Sequence, residues 1–143
     1  MSQPTAQDGS PDVSPSGETD LDTLLEQATP ILADEVYVFC RGIVLEQAMG
    51  HPDVWAWIRE AEATTVIASR AAADRAGWSY RGCWRRITLA VHSSLEAVGF
   101  LAQLLPPLAR AGIAVNVISA YHHDHLFVPA QRAREALALL KRR

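Results

Sequence analysis

Between Arg86 and Pro129 the hydrophobic pattern changes period twice, and that switching limits what the chain can fold into. RITLAV reads as a strand, SSLEAVGFLAQLLPPLARAG carries apolar residues at helical spacing, and IAVNVIS returns to a strand. The polar bend YHHDH then leads to a third strand, LFV, and Pro129 suits the first turn of a further helix. The order is β-α-β-β-α. Ser93-Ser94-Leu95-Glu96 has the form of a capping box and places the helix start at Ser93. Leu95, Val98, Leu101, Ala102, Leu105, Leu108 and Ala109 are its expected buried stripe. Pro106-Pro107 conflicts with it, because proline in a helix interior costs roughly 3 kcal/mol. A kink or restart is therefore expected near Leu105, with Gly112 as a left-handed stop.

The first half runs in a similar order. Asp20 opens a helix with Leu21, Leu24, Leu25 and Ala28 on one face, and EVYVFC from Glu35 is a strand. Residues 42–52 are ambiguous between strand and helical turn. Val54 to Ile58 is an extended segment expected to carry Trp55 and Trp57 to one face. TTVIA from Thr64 is a strand, Ser69 caps a short helix closed by Gly77, and Trp78 to Val91 is one strand or two joined at Gly82. Each half approximates a ferredoxin-like unit short of one terminal strand, so the missing edge must be filled by the other half or by another chain.

Residues 1–19 are Ser, Pro, Gly, Asp and Gln with almost no apolar anchor and read as a disordered tail. The expected division is thus a tail over 1–19, an N-terminal unit over 20–82 and a C-terminal unit over 83–143. The formal net charge of -3 gives no basic face for nucleic acid. No apolar run reaches the ~18 residues of a membrane span, and no secretory start is visible, so a cytoplasmic protein is expected. Cys40 and Cys83 lack the spacing of a zinc or redox motif and read as two free thiols.

Two clusters carry chemistry. At the Ser93 turn, backbone amides and the hydroxyls of Ser93 and Ser94 suit a carboxylate, while Glu96 and Asp124 suit an ammonium group, a pairing that matches a zwitterion. The plainer reading is that Ser93 and Glu96 only cap the helix. His122-His123-Asp124-His125 has the vocabulary of a metal site, but strand alternation sends His123 and His125 away from His122 and Asp124. Ser93 beside His92 or His122 lacks a nucleophile elbow and an orienting third group, so no catalytic residue is assigned and no enzyme is expected.

The stretch ITLAVHSSLEAVGFLAQLLPPLARAGIAVNVISAYHHDHLFVPAQRAREALALL resembles the C-terminal half of tandem ACT-domain proteins once catalogued as a domain of unknown function. YVFC and WIREAEATTVIAS resemble that family's first half, so the likeness spans about Thr19 to Leu140. The family is itself similar to the ACT pairs of aspartate kinases and to tandem ACT amino-acid sensors. The resemblance implies an α+β fold of two side-by-side βαββαβ ACT units, with antiparallel sheets and helices on one face. It implies a non-catalytic regulatory protein without a cofactor that binds a small ligand, typically an amino acid, at the seam between units, as a homodimer. The matching site positions are His92, Ser93, Ser94, Leu95, Glu96, Ala97, Val98 and Gly99, then Asn116, Val117, Ile118, Tyr121 and Asp124. Asp124 falls where the sensors place an acid against a cationic side chain. Two departures stand out: Pro106-Pro107 interrupts the usual helix, and GFLAQ replaces the family's small or hydroxyl residue after Gly99. The alternatives are a dimerisation module without ligand and a metal-binding protein using the His-rich bend.

Overall fold

The computed structural model describes residues 17–142. The disorder expected for residues 1–16 lies outside them. The described chain runs α1 (Leu21–Gln27), β1 (Pro30–Arg41), α2 (Leu45–Ala48), β2 (Val54–Arg59), β3 (Thr64–Ser69), α3 (Arg70–Ala76), β4 (Trp84–Leu89), α4 (Phe100–Leu104), α5 (Pro106–Arg110), β5 (Asn116–Ser119), β6 (Asp124–Pro129) and α6 (Ala133–Lys141).

The strands form one six-stranded sheet in the order β2-β3-β1-β4-β6-β5. All its pairings are antiparallel. Its symmetry explains the missing strands. Each half supplies three strands in the same spatial order, β2-β3-β1 and β5-β6-β4, and the fourth position of each is taken by the other half's first strand. The join is the β1·β4 pair, in which Leu32 faces Ile87 and Tyr37 faces Trp84. Its register shifts between Leu32 and Val36, and Arg85 donates to the Ala33 carbonyl at 2.7 and 3.1 Å across that irregularity. Pro30 opens β1, a position that needs no ladder donor.

All helices cover one face. Over the β4-β6 side, Ile87, Leu89, Leu126 and Val128 meet Leu24, Leu104, Leu108, Ala136 and Leu140. Over the β1-β3 side, Val38, Cys40, Val66 and Ala68 meet Ala48 and Ala73. The first of these cores includes Leu24 and Ala28 of α1, so the N-terminal helix packs into the C-terminal unit.

Three expectations are corrected. The capping box does not form: Ser93 to Gly99 is irregular, and the helix begins at Phe100 after Gly99, whose φ of 86° is left-handed. Leu95 and Val98 consequently leave the buried stripe and stand 65% and 84% exposed. Trp55 and Trp57 do not share a face, because β2 slips register between Val54 and Ala56. Trp55 turns to the face without helices, while Trp57 pairs with Val66 on the helix side. The last helical stripe breaks near Leu105 as expected, with Pro106 and Pro107 opening α5 where their missing N–H groups cost nothing.

Residues 17–19, expected to belong to the disordered tail, are instead tied to the loop after β4. The Glu18 N–H donates to the His92 carbonyl at 2.8 Å and its carbonyl accepts from the Ser94 N–H at 2.9 Å. The Glu18 carboxylate turns back to accept from the Thr19 and Asp20 amides. Asp20 caps α1 through Thr23. Gly17 has φ 99°, and a Cβ there would lie 2.8–2.9 Å from the backbone of His92, Ser93 and Ser94.

Two outcomes follow from this packing. Because β1 and β4 belong to opposite halves, urea unfolding followed by tryptophan fluorescence and by far-UV circular dichroism gives one coincident transition; two separated midpoints would show that the halves unfold independently. Gly17→Ala lifts the strap, since a left-handed non-glycine residue alone costs about 1–3 kcal/mol. Amide exchange at Ser94 then speeds up in the variant, and an unchanged Ser94 rate would show that the strap does not hold the loop.

Candidate functional site

A hollow of about 240 Å³ opens where β4 hands over to α4, beside the β5–β6 turn. Ser93, Ser94, Leu95, Ala97 and Gly99 wall one side, Phe100, Leu101 and Ala102 form the helix start, and Ser119, Ala120 and Asp124 close the other. Period-two alternation along β6 makes it polar. Leu126 and Val128 face the helices, so Asp124 does too, while His125 and Phe127 face away. The hairpin register sets Ser119 opposite Asp124.

Asp124 is 7% exposed and is the one buried charged residue among the described residues. The Ser93 hydroxyl donates to its Oδ2 at 3.2 Å. Burying a carboxylate is costly unless it is paired, so this acid marks the hollow as a place suited to a cation or a further donor. The backbone amides divide into two groups. Those of Ser93, Ser94, Glu96 and Ala97 are already used, by the Val91 carbonyl, the Glu18 carbonyl, the Ser94 hydroxyl and the Ser94 carbonyl. The donors without an intrahelical acceptor lie further on, at Phe100, Leu101 and Ala102, whereas the Gln103 amide reaches the Gly99 carbonyl. The donor end of the hollow is therefore displaced from Ser93 to Phe100.

Of the expected site residues, Ser93, Ser94, Leu95, Gly99 and Asp124 come together around the hollow, with Ala97. The others do not line it. Glu96 and Val98 point outward from the turn. Val117 packs into the core beside Leu126, while Ile118 belongs to the cluster on the opposite sheet face and Asn116 pairs there with Phe127. His92 and Tyr121 lie beside His122 at the bend, with ring centroids 5.3 and 5.0 Å from it. Phe100, Leu101, Ala102, Ser119 and Ala120 were not anticipated. Gly99 was the available signal for the first three and the β5–β6 register for the last two.

The His-rich bend is pulled apart. His123 Nδ1 faces the Val91 carbonyl at 3.2 Å, and His125 lies on the open face against the Thr88 hydroxyl at 2.9 Å. Burial pushes the His125 pKa down, and the charges of Arg86 and His123 push the same way against Asp124. Among the described residues, no group of three or more His, Cys, Asp or Glu side chains is placed to hold a metal ion. The Ser93 hydroxyl donates to Asp124 and not to an imidazole.

Known proteins fit this geometry. Models described as ACT domain match residues 16–85 and, in tandem, residues 81–142. A protein of unknown function from Vibrio cholerae, described as a possible transport protein, is 38% identical over 85% of this chain and 93% of its own, with a TM-score of 0.75. A protein from Agrobacterium tumefaciens is 19% identical over 80% of this chain and 87% of its own, at a TM-score of 0.64. The regulatory subunit of aspartate kinase from Thermus thermophilus, in its ligand-free form, shares 11% identity over 80% of this chain and 97% of its own, at 0.57, and so shares the fold. No curated protein matches the chain. With two ACT matches end to end and a relative covering most of both chains, the protein belongs to the ACT-domain family, as a tandem pair whose halves share one sheet.

Proposed function

We propose that this protein is a non-catalytic regulatory ACT pair that binds an amino acid in the hollow between Ser93, Phe100 and Asp124, and that it acts in the cytoplasm as a homodimer. ACT domains in general serve regulatory small-molecule binding. The observation that carries the finer reading is the buried Asp124, with Ser93 on its oxygen, set across a small hollow from the Phe100–Ala102 amides. An ammonium group suits the acid and a carboxylate suits the amides, so a zwitterion satisfies both ends at once. The volume of about 240 Å³ accommodates a small molecule and excludes a folded partner. The lining comes from the C-terminal unit alone, so on this reading the ligand sits within that unit and not at the expected seam between units, with Glu18 bracing its loop from behind. No helix among the described residues is long and apolar enough to cross a membrane.

One observation favours a second reading, a dimerisation scaffold without ligand: four of the loop amides first expected to meet a ligand are already bonded within the chain.

A thermal-shift series over the common amino acids separates the two. A ligand at 100 times its Kd adds about 2.7 kcal/mol to stability, which raises the melting midpoint by several degrees; no rise with any amino acid favours the scaffold. Asp124→Asn retains an acceptor for Ser93 but removes the charge. It should keep the circular dichroism spectrum and lose the shift given by the binding amino acid, and an undiminished shift would take Asp124 out of the site.

A further inference from the structure

Strand β1 runs on past the Tyr37–Trp84 pair, where β4 begins. Its side there is met by a single bridge, Cys40 to Tyr80. Between these two pairings β1 has Val38 and Phe39, while the facing segment has Arg81, Gly82 and Cys83. The extra residue makes a bulge, and Gly82 bends the chain there with a left-handed φ of 67°. A cleft of about 770 Å³ opens between the end of β1, the start of β3 and this segment. Phe39, Arg41, Thr65, Ser79, Tyr80 and Arg81 line it.

Strand alternation decides what the cleft presents. Cys40 faces the helices and Phe39 the opposite side, so Arg41 follows Phe39. The β1–β3 register sets Thr65 beside Arg41. The Cys40–Tyr80 pairing, continued by one residue each way, sets Ser79 on its other flank and Arg81 beside Phe39. Arg41 and Arg81 are thus diagonal neighbours, a spacing of roughly 7–8 Å that long side chains span. Neither guanidinium has a hydrogen bond or ion pair among the described residues, and the Ser79 hydroxyl has no partner there either. Two nearby acids are engaged elsewhere: Glu60 accepts from the Thr65 hydroxyl, and Asp74 from the Tyr80 hydroxyl at 2.7 Å. No acid lines the cleft, although the chain as a whole carries a formal net charge of -3. Arg86, further along the same sheet face, is not part of it; its guanidinium lies over the Tyr37 and Trp55 rings, 5.5 and 5.3 Å from their centroids.

We propose that this cleft binds a small phosphate ester of nucleotide size, with the phosphate between Arg41 and Arg81, the Ser79 hydroxyl donating to it, and the organic body over Phe39. Two like charges left side by side repel, and an anion between them removes that cost. A phosphate monoester carries about 1.5 to 2 negative charges at neutral pH, enough to meet both cations, where a carboxylate meets one. The planar guanidinium fork also matches phosphate oxygens two at a time. Phe39 gives the cleft a fixed apolar floor, since its ring is wedged edge to face against Phe127 at 5.4 Å and tilted against Trp84 at 5.8 Å. The volume is in the range of small-molecule pockets, roughly 300–1,000 Å³, and far exceeds what a bare phosphate fills. This inference goes beyond the reading above: the cleft lies on the other sheet face from the hollow and shares no residue with it.

Isothermal titration calorimetry of the full chain with adenosine monophosphate, adenosine and inorganic phosphate tests it. The monophosphate should bind, and adenosine, which lacks the phosphate, should bind at least about tenfold more weakly. Inorganic phosphate should compete with the monophosphate at lower affinity. Arg41→Gln and Arg81→Gln, both at exposed positions, should each weaken the monophosphate by about tenfold and leave circular dichroism unchanged. Arg41→Lys keeps the charge but loses the fork, and its affinity should fall between those of wild type and Arg41→Gln. Absence of binding by the monophosphate overturns the proposal. So does adenosine binding as tightly as its monophosphate, or an Arg41→Gln, Arg81→Gln variant that binds at wild-type strength. Inorganic phosphate binding as tightly as the ester overturns the place given to the organic body over Phe39. Phosphate binding is read here and an amino-acid thermal shift there, so either reading can fail while the other stands.

Discussion

The antiparallel pairing of β1 with β4 is the constraint on which the rest depends. A β-α-β-β unit with three strands leaves one side of its first strand without partners, and an unpaired central strand is both unstable and prone to wrong association. Here the two first strands meet along that side. The result is one sheet whose halves cannot be separated without exposing both. It also commits the helices to one face, because each crossover returns to the same side, and on the other face it gathers a cluster from all six strands in which Tyr37, Ile67 and Phe127 are buried by one another and by partly exposed neighbours.

The hollow is a consequence of how that sheet ends. At the β4 end the chain leaves the ladder at Leu89, and the next helix does not begin until Phe100. The intervening loop would be poorly held by itself. It is tied by Glu18 at His92 and Ser94, by Asp124 at Ser93, and by Leu21 of α1, which lies 3.7 Å from where a Gly99 side chain would begin. Two of these three restraints come from the N-terminal segment. The elements most distant in sequence therefore set the geometry of the polar loop, and the tie is made through backbone atoms that no side-chain pattern reveals.

That explains which parts were legible beforehand. The period changes over Arg86–Pro129 and the strand at Thr64 report local burial, and they place the sheet, the α4/α5 break at Leu105 and the side of β6 on which Asp124 lies. The helix start was misread because Ser93-Ser94-Leu95-Glu96 satisfies a capping pattern in its local chemistry. In the fold, the Ser94 hydroxyl does accept an amide, that of Glu96, but as a tight turn and not as a cap. Tertiary pairing with Glu18 competes for the same backbone and wins. The strap itself was hidden by composition: Gly17-Glu18-Thr19 looks like the polar tail that precedes it, and its order comes from two main-chain bonds rather than from apolar anchors. Trp55 was misplaced for a similar reason, since a one-residue slip in β2 reverses the face of everything before it.

The two unusual charges of the fold invite comparison. Asp124 and Arg86 sit on adjacent strands, β6 and β4, but on opposite faces of the same sheet. They cannot neutralise each other through the backbone layer, and each is set among groups that only partly compensate it: one hydroxyl for the acid, two aromatic rings for the arginine. A chain selected for stability alone would gain by replacing either with an apolar side chain of similar volume. Thr88 and His125 meet at 2.9 Å on the open face, next to Arg86 and across the β4–β6 pair from Asp124.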